Sequence, residues 1–307
     1  MPIIIPTDLP ARKVLDSEGI FVIPQDEAAK QDIRALQVAL LNLMPLKIET
    51  ETQIARLLGN SPLQVELTLL KTATHRSANT SEEHLLQFYK TFDEVKHRHF
   101  DGLIITGAPV ETLEFEEVDY WPELKEILDW SVTNAHASLF ICWGGQAALQ
   151  HFHGVPKHRL IAKHSGVYKH RLLKPYAPIV RGIDDEFYVP VSRYTEVHKR
   201  DIEKVDGLEI LSESPGTGLY LVHDAARRRL YSFNHAEYDS DTLAREYQRD
   251  LERGLNPTVP CNYYPDDDPS AEPIVRWRSH AWLLFANWLN YEVYQGFSRP
   301  GGLTIAQ

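Results

Sequence analysis

The chain has 307 residues, of which 43% are apolar and 24% are charged, and these fractions are ordinary for a folded protein in water. No apolar run is long enough to span a bilayer. The net charge of −11 disfavours broad binding to nucleic acid. The first residues lack the basic segment of a secretory signal, and the two cysteines, Cys142 and Cys261, make no disulfide framework. We therefore expect a cytoplasmic protein with free thiols and with no nucleic-acid or membrane partner.

The chain divides into three predicted parts. Four prolines interrupt residues 1–33, which predicts an irregular N-terminal arm. Residues 34–300 are expected to form a single α/β domain, and residues 301–307 a C-terminal tail.

Strand and helix patterns alternate through the first half of the domain. Strands are predicted at 36–44, 63–70, 100–106 and 138–141. Helices are predicted at 47–58, 121–133 and from 147 onward, with a further helix at 80–90 opened by a capping box of Thr80 and Glu83. This alternation predicts an α/β fold with a mainly parallel sheet flanked by helices. In such sheets the binding crevice lies beyond the carboxyl ends of the strands, so residues 106–109 and 142–145 should be neighbours.

The second half is less regular. Between residues 160 and 230 only short strand-like pieces stand out, including 207–211 and 218–222, and a further strand is predicted at 229–234. A polar helix is predicted at 239–253 and an amphipathic one at 277–291. The second helix has an apolar stripe that we expect in the core, made of Trp277, Ala281, Leu284 and Trp288. These are the extra C-terminal elements of the fold.

Cys142 lies at a predicted strand-to-helix turn and is followed by Trp143, Gly144 and Gly145. This pattern has the form of a nucleophile elbow, in which small residues permit a sharp turn. The N-terminus of the following helix favours a thiolate and supplies N–H groups for an oxyanion. The alternative is a small buried cysteine beside a helix that packs closely through glycines.

His235 and Glu237 follow the predicted strand 229–234. Alternate residues of an extended chain project to one side, so the carboxylate is placed to orient the imidazole and the imidazole to exchange protons with a thiol or an alcohol. The alternative is a surface histidine near a surface glutamate. The order of a cysteine followed much later by His-x-Glu is the stronger signal.

These segments together resemble one superfamily. Residues 140–146 (FICWGGQ) and 234–237 (NHAE) resemble the class I glutamine amidotransferase-like superfamily, which has a flavodoxin-like sheet. More narrowly, the chain resembles the homoserine O-succinyl- and O-acetyltransferases of methionine biosynthesis, through these two segments and through 41–45 (LNLMP), 106–109 (TGAP) and 162–166 (AKHSG). Glutaminases of the superfamily usually carry glycine two residues before the cysteine and His-Pro-Glu later. Phe140 and Ala236 depart from that pattern and count against glutamine hydrolysis.

The resemblance implies the roles of further residues. Cys142, His235 and Glu237 are the implied catalytic set, and the Trp143 N–H is a candidate oxyanion donor. Lys163 and Ser192 match substrate-binding positions, and Arg249 matches the residue that holds the carboxylate of the amino acid. An arginine suits a bidentate carboxylate contact, although Arg245 shares its helix face. Without the resemblance, a loop lysine, an ordinary serine and a solvated arginine are the simpler interpretations.

The implied substrates are L-homoserine and acetyl-CoA, the latter as a co-substrate, with no permanently bound cofactor. In a two-step scheme, Cys142 takes the acyl group and the hydroxyl of homoserine then attacks the acyl-cysteine. The expectation of an acetyl donor rests on Glu111: family members with glutamate here resemble acetyl-CoA users, and those with glycine resemble succinyl-CoA users. A glutamate would fill the space of the succinyl carboxylate and repel its charge. Judged by composition alone, Glu111 would be a solvent-facing member of an acidic stretch.

The sequence is compatible with other functions, and two histidine pairs raise the question of a metal site. A succinyl-CoA-dependent enzyme, a glutamine amidotransferase-like hydrolase and a non-enzymatic sensor that retains the fold are the alternatives. The sequence leaves the oligomeric state open, with a homodimer as one option. The pairs His97/His99 and His151/His153 lack further ligands at suitable spacing, so we expect surface histidines and no metal.

Overall fold

The computed structural model describes residues 2–74 and 79–295. The strands in chain order are Ile3–Ile5 (β1), Val22–Pro24 (β2), Leu36–Leu41 (β3), Val65–Lys71 (β4), Tyr89–Thr91 (β5), Phe100–Ile105 (β6), Ala135–Ile141 (β7), His158–Leu172 (β8), Glu186–Glu196 (β9), Leu208–Ser214 (β10), Gly218–Asp224 (β11) and Arg229–Ser232 (β12). The α-helices are Ala11–Ser17 (α1), Gln25–Ala28 (α2), Lys47–Gly59 (α3), Glu82–Phe88 (α4), Phe92–Val95 (α5), Trp121–Asn134 (α6), Trp143–His153 (α7), Lys199–Ile202 (α8), Thr242–Glu252 (α9) and Arg278–Asn287 (α10).

All of these strands belong to one sheet. Its order is β2-β1-β4-β3-β6-β7-β12-β11-β10-β8-β9, and β5 pairs with β4. The strands from β2 to β12 in this order run parallel, as does β5, whereas β12, β11, β10, β8 and β9 pair antiparallel. The predicted mainly parallel α/β sheet is confirmed, and an antiparallel extension made of β8 to β11 continues it at one side.

Helices cover both faces of the parallel part because its strands are apolar on both sides. In β3, Val38 and Leu40 pack in one buried cluster with α1, α3 and α10, whereas Ala39 and Leu41 pack in a second cluster with α6 and α7. This is the burial expected of parallel strands connected by helices. The expected core stripe of the last helix is confirmed, since Trp277, Ala281, Leu284 and Trp288 are all buried.

The expectation of an irregular arm at residues 1–33 is wrong for the described residues 2–33. They form two strands and two helices, and β1 pairs with both β2 and β4 inside the sheet. Three consecutive isoleucines make this possible, because Ile3, Ile4 and Ile5 are all buried. The predicted tail, 301–307, and the end of the predicted domain lie outside the described residues.

Other boundaries also differ from the predictions. The N-cap of α4 is Ser81, which accepts a hydrogen bond from the His84 N–H, so the predicted capping box of Thr80 with Glu83 is wrong. The short pieces expected between 160 and 230 include two long strands, β8 and β9. The last helix is α-helical only to Asn287 and continues as a π-helical segment, Trp288–Tyr294.

Within the described part of the chain, no helix combines the length and the apolar character needed to cross a membrane.

Candidate active site

Cys142 occupies a strained turn between β7 and α7. Its backbone angles, φ 51° and ψ −119°, are unusual for a residue with a side chain. The turn is sharp enough to bring α7 against the neighbouring strand: a Cβ added at Gly144 would lie 2.6 Å from the Thr106 carbonyl oxygen and 2.9 Å from that of Ile105. The predicted nucleophile elbow and its need for a glycine at position 144 are therefore confirmed as geometry. Backbone strain of this kind is characteristic of functional sites.

The turn after β6 lies against both the Cys142 sulfur and the His235 imidazole. A Cβ added at Gly107 would lie 3.1 Å from the Cys142 Cβ, 3.6 Å from its Sγ and 3.7 Å from the Cε1 of His235. The expected proximity of residues 106–109 and 142–145 is thus confirmed. Both segments lie at the carboxyl ends of parallel strands, where α/β sheets place their sites.

His235 lies between Cys142 and Glu237. Its Nδ1 is 2.6 Å from the Glu237 Oε1, and both side chains are buried. Burial by itself would lower the pKa of His235, but its interactions with Cys142 and Glu237 outweigh burial and raise that pKa well above 6.5. The arrangement has the geometry of a nucleophile, a base and an orienting carboxylate.

Trp143 is the first residue of α7, so its backbone N–H has no acceptor within the helix. This leaves it in the place that an oxyanion donor requires, although the role itself stays a prediction. The indole ring of Trp143 is fully buried and lies 6.0 Å, centroid to centroid, from both Phe115 and Tyr120. That packing fixes the start of the helix behind the sulfur.

Lys163 and Ser192, from the neighbouring strands β8 and β9, meet at one carboxylate. The Lys163 ammonium lies 3.3 Å from the Glu246 Oε2 and 3.2 Å from an oxygen of Asp250, and the Ser192 hydroxyl donates a short hydrogen bond to Glu246. Burial would raise the pKa of Glu246, but the Lys163 charge, the Ser192 hydrogen bond and the His235 charge lower it overall. Glu246 is therefore ionised at neutral pH.

Tyr238 connects this carboxylate to the catalytic set. Its ring stacks on the imidazole of His235 with centroids 4.2 Å apart, and its hydroxyl donates to the Glu246 Oε1 at 2.9 Å. Sequence reasoning missed both Tyr238 and Glu246. The available signal was the spacing in α9, where Glu246 precedes Arg249 by three residues and Asp250 by four and so shares a face with them.

Arg249 lies on the same helix but is half exposed. Its guanidinium donates to the Asp250 carboxylate at 2.9 Å. Arg245 instead contacts Glu49 at 2.5 Å and Asp241 at 3.2 Å. Arg249 is therefore the arginine of this pair that shares a partner, Asp250, with Lys163, and its binding role stays a prediction.

Glu111 is not the solvent-facing residue that composition alone favours. Its Oε2 accepts hydrogen bonds from the Tyr194 N–H at 2.8 Å, the Thr195 N–H at 3.1 Å and the Thr195 hydroxyl at 2.9 Å. The Thr195 hydroxyl also lies 2.9 Å from the Gln146 Oε1, in the helix that begins at the elbow. Burial raises the pKa of Glu111 despite these hydrogen bonds. Its influence on the acyl donor stays a prediction.

The two His-x-His pairs differ in their surroundings. His97 and His99 are exposed, as expected. His151 and His153 are half-buried, so their interpretation as surface histidines is wrong: His151 contacts Asp129 at 2.7 Å, and His153 lies 3.3 Å from the Tyr231 hydroxyl.

The mainly parallel sheet, the strained turn at Cys142 and the histidine–glutamate pair beside it define a protein with a class I glutamine amidotransferase-like fold. Solved structures agree on the fold: a glutamine amidotransferase from Thermotoga maritima superposes with a TM-score of 0.58, at 14% identity over 85% of this chain and all of that one. A glutamine amidotransferase from Methylobacillus flagellatus gives a TM-score of 0.53, at 12% identity over 90% of this chain and all of that one.

Sequence relatives define the family. The model of the homoserine O-succinyltransferase family matches residues 2–299. A homoserine O-acetyltransferase from Synechococcus sp. is 60% identical over 97% of this chain and 100% of its own length. Another from Clostridium novyi is 59% identical over 96% of this chain and 98% of its own length. The chain belongs to the homoserine O-succinyltransferase family, a family of acyltransferases.

Proposed function

We propose that this protein transfers an acetyl group from acetyl-CoA to the γ-hydroxyl of L-homoserine, giving O-acetyl-L-homoserine and CoA. The observation that carries the proposal is the Cys142–His235–Glu237 arrangement with the Glu246 carboxylate one aromatic ring away. The names of the full-length relatives support the same reaction. A place in methionine biosynthesis and a cytoplasmic location fit this activity.

In the first step the acyl group passes from CoA to Cys142. The Cys142 sulfur attacks the thioester carbonyl, and the oxyanion that forms is stabilised by the N–H groups at the start of α7, that of Trp143 among them. The carbon–sulfur bond to CoA breaks, and the leaving thiolate takes a proton from the His235 imidazolium. Since one thioester replaces another, the step is close to neutral in free energy.

In the second step the acyl group passes from Cys142 to homoserine. His235 accepts the proton of the homoserine hydroxyl as the oxygen attacks the acyl-cysteine, and Glu237 stabilises the resulting imidazolium. The thiolate of Cys142 leaves and the ester is released. No bound cofactor or metal takes part in this scheme.

Homoserine also carries an ammonium and a carboxylate, and α9 offers a partner for each. The ionised Glu246, positioned by Ser192 and Tyr238, suits the ammonium. Arg249 suits the carboxylate, because a guanidinium donates two parallel hydrogen bonds to it. Both groups lie on one helix face, which fixes the amino-acid end while the hydroxyl reaches His235.

Acylation of Cys142 is the direct test. The protein is mixed with acetyl-CoA alone, thiol release is followed, and peptide mapping locates the acetyl group. We expect one acetyl group on Cys142, released on addition of homoserine, and none in the Cys142→Ala variant, whereas Cys261→Ala should behave as the parent. An acetyl group on Cys261 with Cys142 unmodified contradicts the proposal, as does a lack of acylation by either acetyl-CoA or succinyl-CoA.

Two outcomes distinguish the proposed reaction from the alternative functions. Faster loading from succinyl-CoA than from acetyl-CoA would retain the acyltransferase and reject the acetyl donor. Ammonia release from glutamine, lost in Cys142→Ala, would instead identify a glutamine hydrolase. Light scattering of the purified protein determines its oligomeric state, for which a homodimer is one option.

A further inference from the structure

A cluster of side chains that can bind a metal lies away from Cys142, at the open end of the β8–β9 hairpin. His158 is the first residue of β8, His198 precedes α8, and Asp201 lies within α8. One ligand atom from each of the three lies within 4.8 Å of the others. The two imidazoles are each 31% exposed and the Asp201 side chain is 10% exposed, so an ion reaches the carboxylate from the side of the histidines.

The contact with Arg200 identifies Nδ1 as the unprotonated nitrogen of His198. Its Nδ1 lies 3.1 Å from the Arg200 guanidinium, which can only donate, so this nitrogen is the acceptor. Its other nitrogen, Nε2, therefore carries the proton and lies 3.3 Å from the Glu196 carboxylate. A ligating histidine whose second nitrogen donates to a carboxylate is a recurrent feature of metal sites.

The spacing of the donor atoms is close to what a tetrahedral ion needs. Bonds of about 2.0–2.2 Å place adjacent ligand atoms roughly 3.3 Å apart. The His158 Nε2 is 2.8 Å and the His198 Nδ1 is 4.0 Å from the same oxygen of Asp201, so the two distances lie on either side of that value. The imidazole rings are stacked, with centroids 3.7 Å apart and an interplanar angle of 6°, so one ring has to rotate before both nitrogens point at one ion.

We propose that His158, His198 and Asp201 bind a divalent transition-metal ion such as Zn²⁺. Two imidazoles and one carboxylate favour an ion of this class over Mg²⁺ or Ca²⁺, which prefer oxygen ligands. The ion replaces the proton shared by His158 and Asp201 and takes solvent as its remaining ligand. Lys204 is no obstacle because it contacts the other oxygen, Oδ1, at 2.8 Å. Arg200 hydrogen-bonds to the His198 Nδ1, and its exposed side chain has to move into solvent when the ion binds there.

The ion would link α8 to the open end of the β8–β9 hairpin. His158 pairs with Glu196 across β8 and β9, and the same two strands carry Lys163 and Ser192. Bound metal therefore holds α8 against the start of β8 and raises thermal stability. The metal site shares no residue with the Cys142 centre, so its test is independent of the test of acyl transfer.

Zinc binding is measured by calorimetry on full-length protein that has been stripped with a chelator. The parent for this experiment carries Cys142→Ser and Cys261→Ser, because thiols bind Zn²⁺ themselves. We expect one equivalent of Zn²⁺ to bind and to raise Tm, with no comparable effect from Mg²⁺. The double variant His158→Asn/His198→Asn should lose both the binding and the shift in Tm.

Matched variants make the result specific. His97→Asn/His99→Asn removes two exposed histidines elsewhere and should bind Zn²⁺ as the parent does, whereas Glu196→Gln should weaken binding by about 10–100-fold. If the double variant fails to fold, Asp201→Asn replaces it. Absence of binding in the parent, or equal affinity in a folded variant that lacks His158 and His198 or Asp201, overturns the proposal.

Discussion

His235 is the residue on which the proposed chemistry converges, since it contacts Cys142 on one side and Glu237 on the other. Burial of an imidazole normally favours its neutral form. Here the adjacent groups reverse that preference and raise the pKa of His235, so the imidazolium persists to higher pH than for a free histidine. The His235 imidazolium can therefore protonate the departing CoA thiolate.

Replacing Glu237 by Gln should lower the pKa of His235. The substitution removes one of the two groups that favour the imidazolium and leaves the burial that opposes it. NMR titration of isotopically labelled histidine reports this directly, and the His235 signal should titrate at lower pH in Glu237→Gln than in the parent. Glu66→Gln is the control and should leave the titration unchanged, because the half-buried Glu66 carboxylate contacts Gln25 and Gln37. An unaltered His235 titration in Glu237→Gln would remove Glu237 from this role.

Glu111 is expected to select the acyl donor. Its carboxylate accepts hydrogen bonds from the N–H groups of Tyr194 and Thr195, which Glu111→Gly would free to donate to the carboxylate of a succinyl group. The variant should therefore shift the ratio of kcat/KM values toward succinyl-CoA, by about tenfold for each 1.4 kcal/mol of repulsion removed. Glu116→Gly, at an exposed position of the short 3₁₀ helix Phe115–Glu117, should retain the donor preference of the parent. A preference for succinyl-CoA in the unmodified protein would contradict this reading of Glu111.

At the scale of elements, the site depends on how closely α7 approaches β6. Gly144 permits the approach because it lacks the Cβ that would collide with two backbone carbonyl oxygens of that strand and its following turn. Backbone atoms cannot move aside as a side chain can. The helix N-terminus therefore stays behind Cys142 only with glycine at this position.

Gly144→Ala should reduce the free energy of unfolding by about 1–3 kcal/mol, as overpacking does, and should slow acylation of Cys142 in the protein that remains folded. Urea denaturation and single-turnover thiol release measure the two effects. The control is Gly216→Ala, whose added Cβ would meet the Tyr168 ring at 3.4 Å and the Ser214 hydroxyl at 3.9 Å, both ordinary contact distances. Stability and acylation rates equal to the parent in Gly144→Ala would show that α7 is free to shift.

At the scale of the whole molecule, Arg193 joins the antiparallel extension to the catalytic loop. It is only 1% exposed, and its guanidinium donates to the carbonyl of Thr195 at 2.9 Å, to the carbonyl of Thr217 and to the side-chain oxygen of Asn234 at 3.4 Å. Burial lowers the pKa of Arg193, yet a guanidinium remains protonated in proteins. Asn234 immediately precedes His235, so one buried cation orients parts of three chain segments.

Arg193→Met should be strongly destabilising. It leaves buried carbonyl oxygens without donors, and each such group costs about 1–3 kcal/mol. Arg171→Met is the matched control, because Arg171 is 58% exposed and its ion pair with Glu213 is expected to contribute less than about 1 kcal/mol. Urea unfolding of both variants gives the comparison, and similar losses in the two would contradict a special role for Arg193.

Local features of this protein were readable from the sequence because they depend on residues close together in the chain. The apolar runs of β3 and β6, the period of α3 and the strand–Cys–Trp–Gly–Gly turn all express short-range preferences. The order of Cys142 and the later His-x-Glu pointed to the proposed catalytic set, since a strand end restricts where its next side chains point. The family resemblance added Lys163, Ser192 and Arg249, which local pattern left as ordinary surface residues.

Tertiary structure alone decided what depends on distant pairing. Residues 2–33 read as an arm because β1 has only three residues, and its place in the sheet comes from β4, about 60 positions later. The charged, weakly alternating residues of β8 gave no strand signal and are ordered by pairing with β9. Glu246 became a site residue only when β8 and β9 brought Lys163 and Ser192 to it across 83 and 54 positions, because a carboxylate's role is set by the charges that the fold places around it.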